Sequence, residues 1–178
     1  MLKKFCIAVA IIIALPFIIA LFVSSSYEVE REVLINKPKS EVFNYVKYLK
    51  NQDYFSKWAQ IDPEMKKTSR DTDGAVGFVS AWESEHPDVG TGEQEIMAIV
   101  DGQRIDYELR FLKPFESISP AYMTFESDGS DQTTVKWGFK GQMDYPMNIM
   151  LLMMDFEQLI GDDLQMGLDN LKVIQETE

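Results

Sequence analysis

Nineteen consecutive uncharged residues near the start of the chain constrain its organisation more than any other feature. The run is residues 5–23, FCIAVAIIIALPFIIALFV. As a helix rising about 1.5 Å per residue, it roughly matches the ~30 Å hydrocarbon core of a bilayer. Lys3 and Lys4 precede the run, so the positive-inside rule predicts a cytoplasmic N-terminus and places residues 24–178 on the far side. We therefore expect residues 1–26 to be a single-pass membrane anchor with a short linker.

A cleaved signal peptide is the alternative to an anchor. The apolar region of a signal peptide is shorter, roughly 7–15 residues, and the run here is longer than that. Val23 and Ser25 nevertheless resemble a weak small-residue cleavage site. Both alternatives export residues 27–178, which we expect to form one domain.

The exported domain is strongly acidic. Beyond residue 23 the chain keeps 15 basic residues against 29 acidic ones. Such a surface repels phosphate backbones, and no cluster of basic residues is visible, so nucleic-acid binding is not expected. The same charge disfavours lying flat on an anionic lipid surface, so contact with a membrane would depend on residues 5–23.

The residues needed for metal or nucleophilic catalysis are scarce. Cys6 is the only cysteine and lies inside the apolar run, and His86 is the only histidine and lies in a polar loop. A histidine metal site or a catalytic triad cannot be built from these. Glu93 and Glu95 share a strand face, and buried there they would be acids with raised pKa. A solvated strand end is the simpler interpretation, so we assign no catalytic residue, no metal site and no cofactor.

Alternating apolar residues predict a series of antiparallel strands. In residues 104–112, Ile105, Tyr107, Leu109 and Phe111 face one way and charged residues face the other, which indicates a sheet with one buried face. Asp101-Gly102 before this strand is a strong hairpin signal. The predicted strands are 27–35, 65–69, 75–82, 91–100, 104–112, 121–127 and 133–140.

Helical spacing appears in three places. Two short helices are predicted over 39–50 and 51–59, and one long helix over about 147–175. A one-sided sheet must cover its apolar face, and the last helix is the only element of sufficient size. The order predicts an α+β helix-grip fold: a curved antiparallel sheet of six to seven strands wrapped around a long C-terminal helix.

Four stretches in this order resemble the SRPBCC superfamily of START-like helix-grip proteins, and most closely its bacterial polyketide cyclase/dehydrase and lipid transport branch. They are PKSEVFNYV after the first strand, SKWAQIDPEMK, GAVGFVSAWES followed by VGTGEQEI, and TTVKWGFKGQM followed by IGDDLQMGLDNLKVIQE. Together they span about residues 27–176. The resemblance implies a cavity between the sheet and the long helix for an apolar or amphipathic small molecule. It implies no reaction and no catalytic residues.

The expected partner is therefore a hydrophobic small molecule or a lipid. The methionine-rich start of the last helix, MNIMLLMM at 147–154, is apolar on nearly every side and exceeds what one sheet face can cover. The residues predicted to line the cavity are Phe78, Trp82, Tyr107, Phe111, Trp137, Met150 and Met154. Two alternatives remain open: an enzyme that uses a cavity carboxylate or tyrosine, and an interaction module whose apolar patch docks a membrane partner.

Overall fold

A computed structural model describes residues 2–127, 129 and 131–177, without the side chains of Leu2 and Ala8. The predicted loop 128–132 therefore lies partly outside the described residues. The helices are α1 (Leu2–Ala20), α2 (Lys39–Val46), α3 (Gln52–Phe55), α4 (Lys57–Ile61), α5 (Met150–Met153) and α6 (Phe156–Thr177). The strands are β1 (Ser26–Ile35), β2 (Lys66–Arg70), β3 (Val79–Glu83), β4 (Thr91–Val100), β5 (Arg104–Lys113), β6 (Ser117–Ser127) and β7 (Thr133–Gln142). Short 3₁₀ turns cover Leu49–Asn51 and Met147–Ile149.

The seven strands form one antiparallel sheet in the order β1-β7-β6-β5-β4-β3-β2. Each strand from β2 to β6 pairs with the next strand along the chain, and β1 pairs with β7 at the other edge. Gly102 adopts φ +65° in the loop between β4 and β5, a conformation that glycine reaches without steric cost. The predicted α+β helix-grip fold is confirmed.

Helix α6 packs across the concave face of the sheet. Leu164, Leu168 and Leu171 are almost fully buried, at the spacing of one helical face. At the start of the helix, Glu157 accepts a hydrogen bond of 2.6 Å from Arg31 on β1. The prediction that a long C-terminal helix covers the sheet is therefore correct.

The last helix begins at Phe156, about nine residues later than predicted. Met154 is extended, with φ −122° and ψ 137°, and separates the short helix α5 from α6. The Asp155 carboxylate accepts a hydrogen bond of 3.0 Å from the backbone N–H of Gln158, as an N-cap residue does. Asp155 followed three residues later by Gln158 is a helix-start signal that the apolar periodicity concealed.

The third predicted strand is also shorter than expected and begins at Val79 rather than at residue 75. Gly74 and Gly77 both have positive φ, which bends the chain before the strand. The N–H of Gly77 donates to the carbonyl of Ile96 at 2.8 Å, so this bend still reaches β4. The predicted helix 51–59 is divided at Ser56 into α3 and α4.

Helix α1 is long and apolar enough to cross a membrane. Among its described side chains only Ala20 is buried, and Ile12 is 69% exposed. This exposure differs from the burial of a core helix, although a signal sequence would give the same pattern.

Candidate ligand cavity

A cavity of about 410 Å³ lies between the concave face of the sheet, α6 and the short helices α3 and α4. All seven strands contribute at least one side chain to its wall. Ile160 and Leu164 contribute from α6, Trp58 contributes from α4, and Ser56 contributes from the junction between α3 and α4. The volume is within the usual ~300–1,000 Å³ range of small-molecule pockets.

Two rows of directly paired residues cross the sheet beneath the cavity. The first row is Ser80, Gln94, Leu109 and Ser119, on β3, β4, β5 and β6. The second row is Trp82, Gly92, Phe111 and Ser117 on the same strands. Because side chains alternate along a strand, both rows face the same side of the sheet. All of these residues except Gly92 line the cavity.

The first row places unpartnered polar groups inside an apolar site. Gln94 is 9% exposed and Ser119 is 4% exposed. Neither side chain forms a hydrogen bond to another residue that the structure describes. The same is true of Ser56, which is 6% exposed and lies on the opposite wall. Their polar atoms are not sealed in the core but open onto the cavity, where a bound molecule can pair with them.

Trp82 lies close to the sheet because position 92 is glycine. A Cβ atom at Gly92 would lie 2.6 Å from the Trp82 ring and 2.7 Å from the Arg110 carbonyl oxygen. The ring packs edge-on against Phe111 at a centroid distance of 6.2 Å, and its Nε1 donates to the Val89 carbonyl at 3.4 Å. The glycine therefore allows an aromatic wall at this end of the cavity.

Among the lining residues that the structure describes, no basic group is left unpaired. Lys67 is the only basic residue among the lining residues that the structure describes, and it forms an ion pair of 3.0 Å with Asp53. Asp88 is exposed at the rim. The described wall is therefore better suited to a neutral molecule than to an anion.

The structure places three of the seven predicted site residues in the lining: Trp82, Phe111 and Trp137. Phe78 and Tyr107 are instead packed in the core, at 1% and 3% exposure. Burial raises the pKa of the Tyr107 hydroxyl, with smaller contributions from the nearby carboxylates Asp106 and Asp73. The Tyr107 hydroxyl therefore stays protonated at neutral pH, and its ring lies in the core and not in the cavity lining.

Met150 and Met154 also lie outside the lining, contrary to the expectation that they form one of its walls. They precede α6, and Met154 lines a separate open groove beside the end of α1.

The lining residues that the sequence periodicity did not predict are the polar residues of the first row. Gln94 shares strand parity with Ile96 and not with the outward-facing Glu93, which is the signal that would have identified it.

Glu93 and Glu95 lie on the convex face, away from the cavity. Glu93 accepts hydrogen bonds from Arg70 at 2.8 Å and from Arg110 at 2.7 Å, and Glu95 accepts one from Arg110 at 2.7 Å. The bonds from Arg70 and then Arg110 hold the pKa of Glu93 below its usual range. These carboxylates belong to a surface ion-pair network.

Within the part of the chain that the structure describes, no three His, Cys, Asp or Glu side chains are grouped to hold a metal ion.

No family model matches the chain, and no curated protein matches it. Several solved structures match the chain. A protein from Nitrosospira multiformis has 14% identity and a TM-score of 0.60, with 84% of this chain and 96% of that one covered. Norcoclaurine synthase from Thalictrum, solved with a transition-state analogue, has 10% identity and a TM-score of 0.59, with 85% and 95% covered.

The ARO/CYC di-domain protein StfQ from the steffimycin biosynthetic pathway has 10% identity and a TM-score of 0.61. The match covers 85% of this chain and 51% of that longer one. Identities this low establish a shared fold and nothing finer. The chain therefore has the helix-grip fold of these proteins.

Proposed function

We propose that the domain binds a neutral, largely apolar small molecule or a single lipid in the cavity, and that α1 anchors it to a membrane. The observation that carries the proposal is the placement of the unpartnered Gln94 and Ser119 inside an apolar cavity. The similarity in fold to proteins named as a cyclase and as norcoclaurine synthase supports a ligand-holding cavity.

The physical chemistry of the lining favours an amphipathic ligand. Burial of apolar surface against Trp82, Phe111 and Trp137 would contribute about 25 cal/mol per Å². The Gln94 amide opens onto the cavity, so a ligand hydroxyl or carbonyl beside it would gain a hydrogen bond worth roughly 0.5–1.5 kcal/mol net. The Lys67–Asp53 pair leaves no free cation for a carboxylate or phosphate ligand among the described lining residues.

Contacts at the end of α1 support an anchor that is retained rather than cleaved. The side-chain amide of Asn148 donates hydrogen bonds to the carbonyls of Ala20 at 2.8 Å and Val23 at 3.0 Å. Asn148 is 3% exposed. Cleavage near residue 25 would remove both acceptors of the Asn148 amide.

An enzyme is the second candidate, because Tyr27 lines the cavity. Burial raises the pKa of its hydroxyl, so the group would stay protonated at neutral pH and would act as a proton donor rather than a base. The carboxylates Glu93 and Glu95 face away from the cavity and do not support this alternative.

A cavity-filling substitution tests the proposed function. Ser119→Phe introduces a large ring into the cavity, so the full-length protein in detergent should bind an environment-sensitive apolar dye at least ~10-fold more weakly, a loss of about 1.4 kcal/mol. Ile118→Phe is the matched control, because Ile118 is adjacent on β6, faces outward and is 60% exposed.

The control variant should bind the dye like the wild type. Circular dichroism must show that both variants are folded. Equal dye affinity of the wild type and a folded Ser119→Phe variant would mean that the cavity is not the binding site.

A further inference from the structure

A second apolar surface lies outside the cavity, where the end of α1 meets the segment 147–154. Phe22 is 86% exposed, Met153 is 74% exposed and Leu152 is 64% exposed. Neither residues 5–27 nor residues 145–154 contain a charged side chain. Exposed apolar surface of this extent marks a binding face.

The two parts of this surface are held together by hydrogen bonds. Asn148 bonds to the last turn of α1 as described above, and the N–H of Met143 donates to the Ser25 carbonyl at 2.8 Å. Ile19, Phe22 and Val23 form one side of an open groove. Residues 151–157 form the other side.

A lipid bilayer fits this surface better than a protein partner does. The surface is continuous with α1, the helix that is long and apolar enough to cross a membrane. Segment 147–154 combines short helical turns with exposed Leu and Met, as interfacial segments do. The strongly acidic remainder of the domain is repelled by anionic headgroups, so the uncharged surface is the part that can approach lipid.

The same surface adjoins one end of the cavity. Tyr27 lines both the cavity and the groove. Its ring contacts Phe139 of the cavity at a centroid distance of 6.3 Å and Phe156 of the groove at 5.4 Å. The Tyr27 hydroxyl forms no hydrogen bond to another residue that the structure describes. No described residue therefore fixes the ring by a hydrogen bond.

We propose that residues 21–23 and 147–154 rest in the bilayer surface beside α1, and that the cavity exchanges its ligand with the membrane past Tyr27. This inference rests on the proposed function for the anchor and for the cavity. Under this proposal the ligand enters the cavity from the membrane.

Fluorescence quenching by lipid tests the position of the surface. In the full-length protein carrying Cys6→Ser, a polarity-sensitive fluorophore is attached at Met153→Cys in one variant and at Val173→Cys in the other. Both positions are exposed apolar residues on helices, at 74% and 64%. In phosphatidylcholine vesicles containing nitroxide-labelled lipid, the label at 153 should be quenched severalfold more strongly than the label at 173. It should also emit at a shorter wavelength than the label at 173.

Equal quenching at the two positions would overturn the proposal. Protection of the label at 153 from a water-soluble quencher, without quenching by the nitroxide lipid, would also overturn it, because a protein and not lipid would then cover the surface. These measurements do not require an occupied cavity. An empty cavity combined with strong lipid quenching at 153 would reject the ligand-binding function and support the surface.

A separate experiment tests the route past Tyr27. The full-length protein in vesicles should take up an apolar dye from the bilayer, and energy transfer from Trp58, Trp82 and Trp137, which all line the cavity, should report its entry. Tyr27→Leu removes the ring and should change the loading rate severalfold, whereas Tyr27→Phe keeps the ring and should load like the wild type. Identical loading rates for the folded Leu and Phe variants would overturn the route.

Discussion

Single residues of the concave face are expected to contribute very unequally to stability and binding. Trp137 is 4% exposed and packs edge-on against Phe55 and Trp58, at centroid distances of 5.7 and 6.4 Å. Trp137→Ala should therefore lower the free energy of unfolding by roughly 3–5 kcal/mol. Urea denaturation of the full-length protein in detergent, followed by circular dichroism, measures this loss.

The neighbouring residue provides the control. Lys136 faces the other side of β7 and forms a partly exposed ion pair with Glu32 at 3.6 Å. Lys136→Ala should cost no more than about 0.5 kcal/mol. Equal losses for the two variants would mean that the burial assigned to β7 is incorrect.

Gln94 is the residue that should set ligand preference. Gln94→Leu replaces an unpartnered buried amide with an apolar group of similar size, so the free energy of unfolding should stay the same or rise by up to about 1 kcal/mol. Binding of a long-chain alcohol should weaken by about tenfold relative to binding of the matching alkane. Titration of both probes into the variant and the wild type tests this, and an unchanged ratio of affinities would show that Gln94 does not contact the ligand.

At the scale of elements, β4 and β5 are joined on the convex face by the network around Arg110. The lowered pKa of Glu93 means that its contribution to stability is fully present above its unfolded-state pKa of about 4.3. The contribution is lost as the pH falls through the lower folded-state pKa. Melting temperatures between neutral pH and about pH 3 should therefore fall less steeply for Glu93→Gln than for the wild type.

Glu126→Gln, at an exposed position on β6, is the control for that pH series and should follow the wild-type curve. If Glu93→Gln retained the full acid sensitivity of the wild type, the Arg70 and Arg110 contacts would not stabilise the ionised form. The network would then have no measurable effect on stability.

Periodicity identified the elements better than it identified their ends. The alternation in β5 and the stripe of leucines in α6 depend on burial against a whole sheet, so they are visible in the sequence. The break at Met154 depends on one extended residue and on the Asp155 cap, which do not alter the apolar pattern. The prediction therefore extended the last helix by about nine residues and assigned Met150 and Met154 to the cavity.

The sequence predicted where the cavity lies better than it predicted which residues line it. Trp82, Phe111 and Trp137 were predicted because large aromatics on the buried face mark the interior. Gln94 and Ser119 were missed because a polar residue on a strand ordinarily indicates the solvent side. The strand parity of Gln94 with Ile96 was the available signal, and the register that aligns β4, β5 and β6 brings Ser119 onto the same face.

For the whole molecule, we predict a domain outside the cytoplasm on a retained anchor. Lys3 and Lys4 precede the apolar helix, so protease added to intact spheroplasts of a bacterial host should digest residues 24–178. Protection of the domain until lysis would contradict export. An N-terminus starting near residue 26 in the purified protein would show cleavage instead of anchoring.

The central claim is that the cavity holds an apolar molecule, and native mass spectrometry of the detergent-extracted full-length protein tests it most directly. We predict that the wild type carries a co-purified neutral molecule of defined mass that organic solvent releases. The folded Ser119→Phe variant should carry much less of it, and Ile118→Phe should carry the wild-type amount. A wild-type protein that appears only at its bare mass, or a molecule retained equally by Ser119→Phe, would contradict the claim.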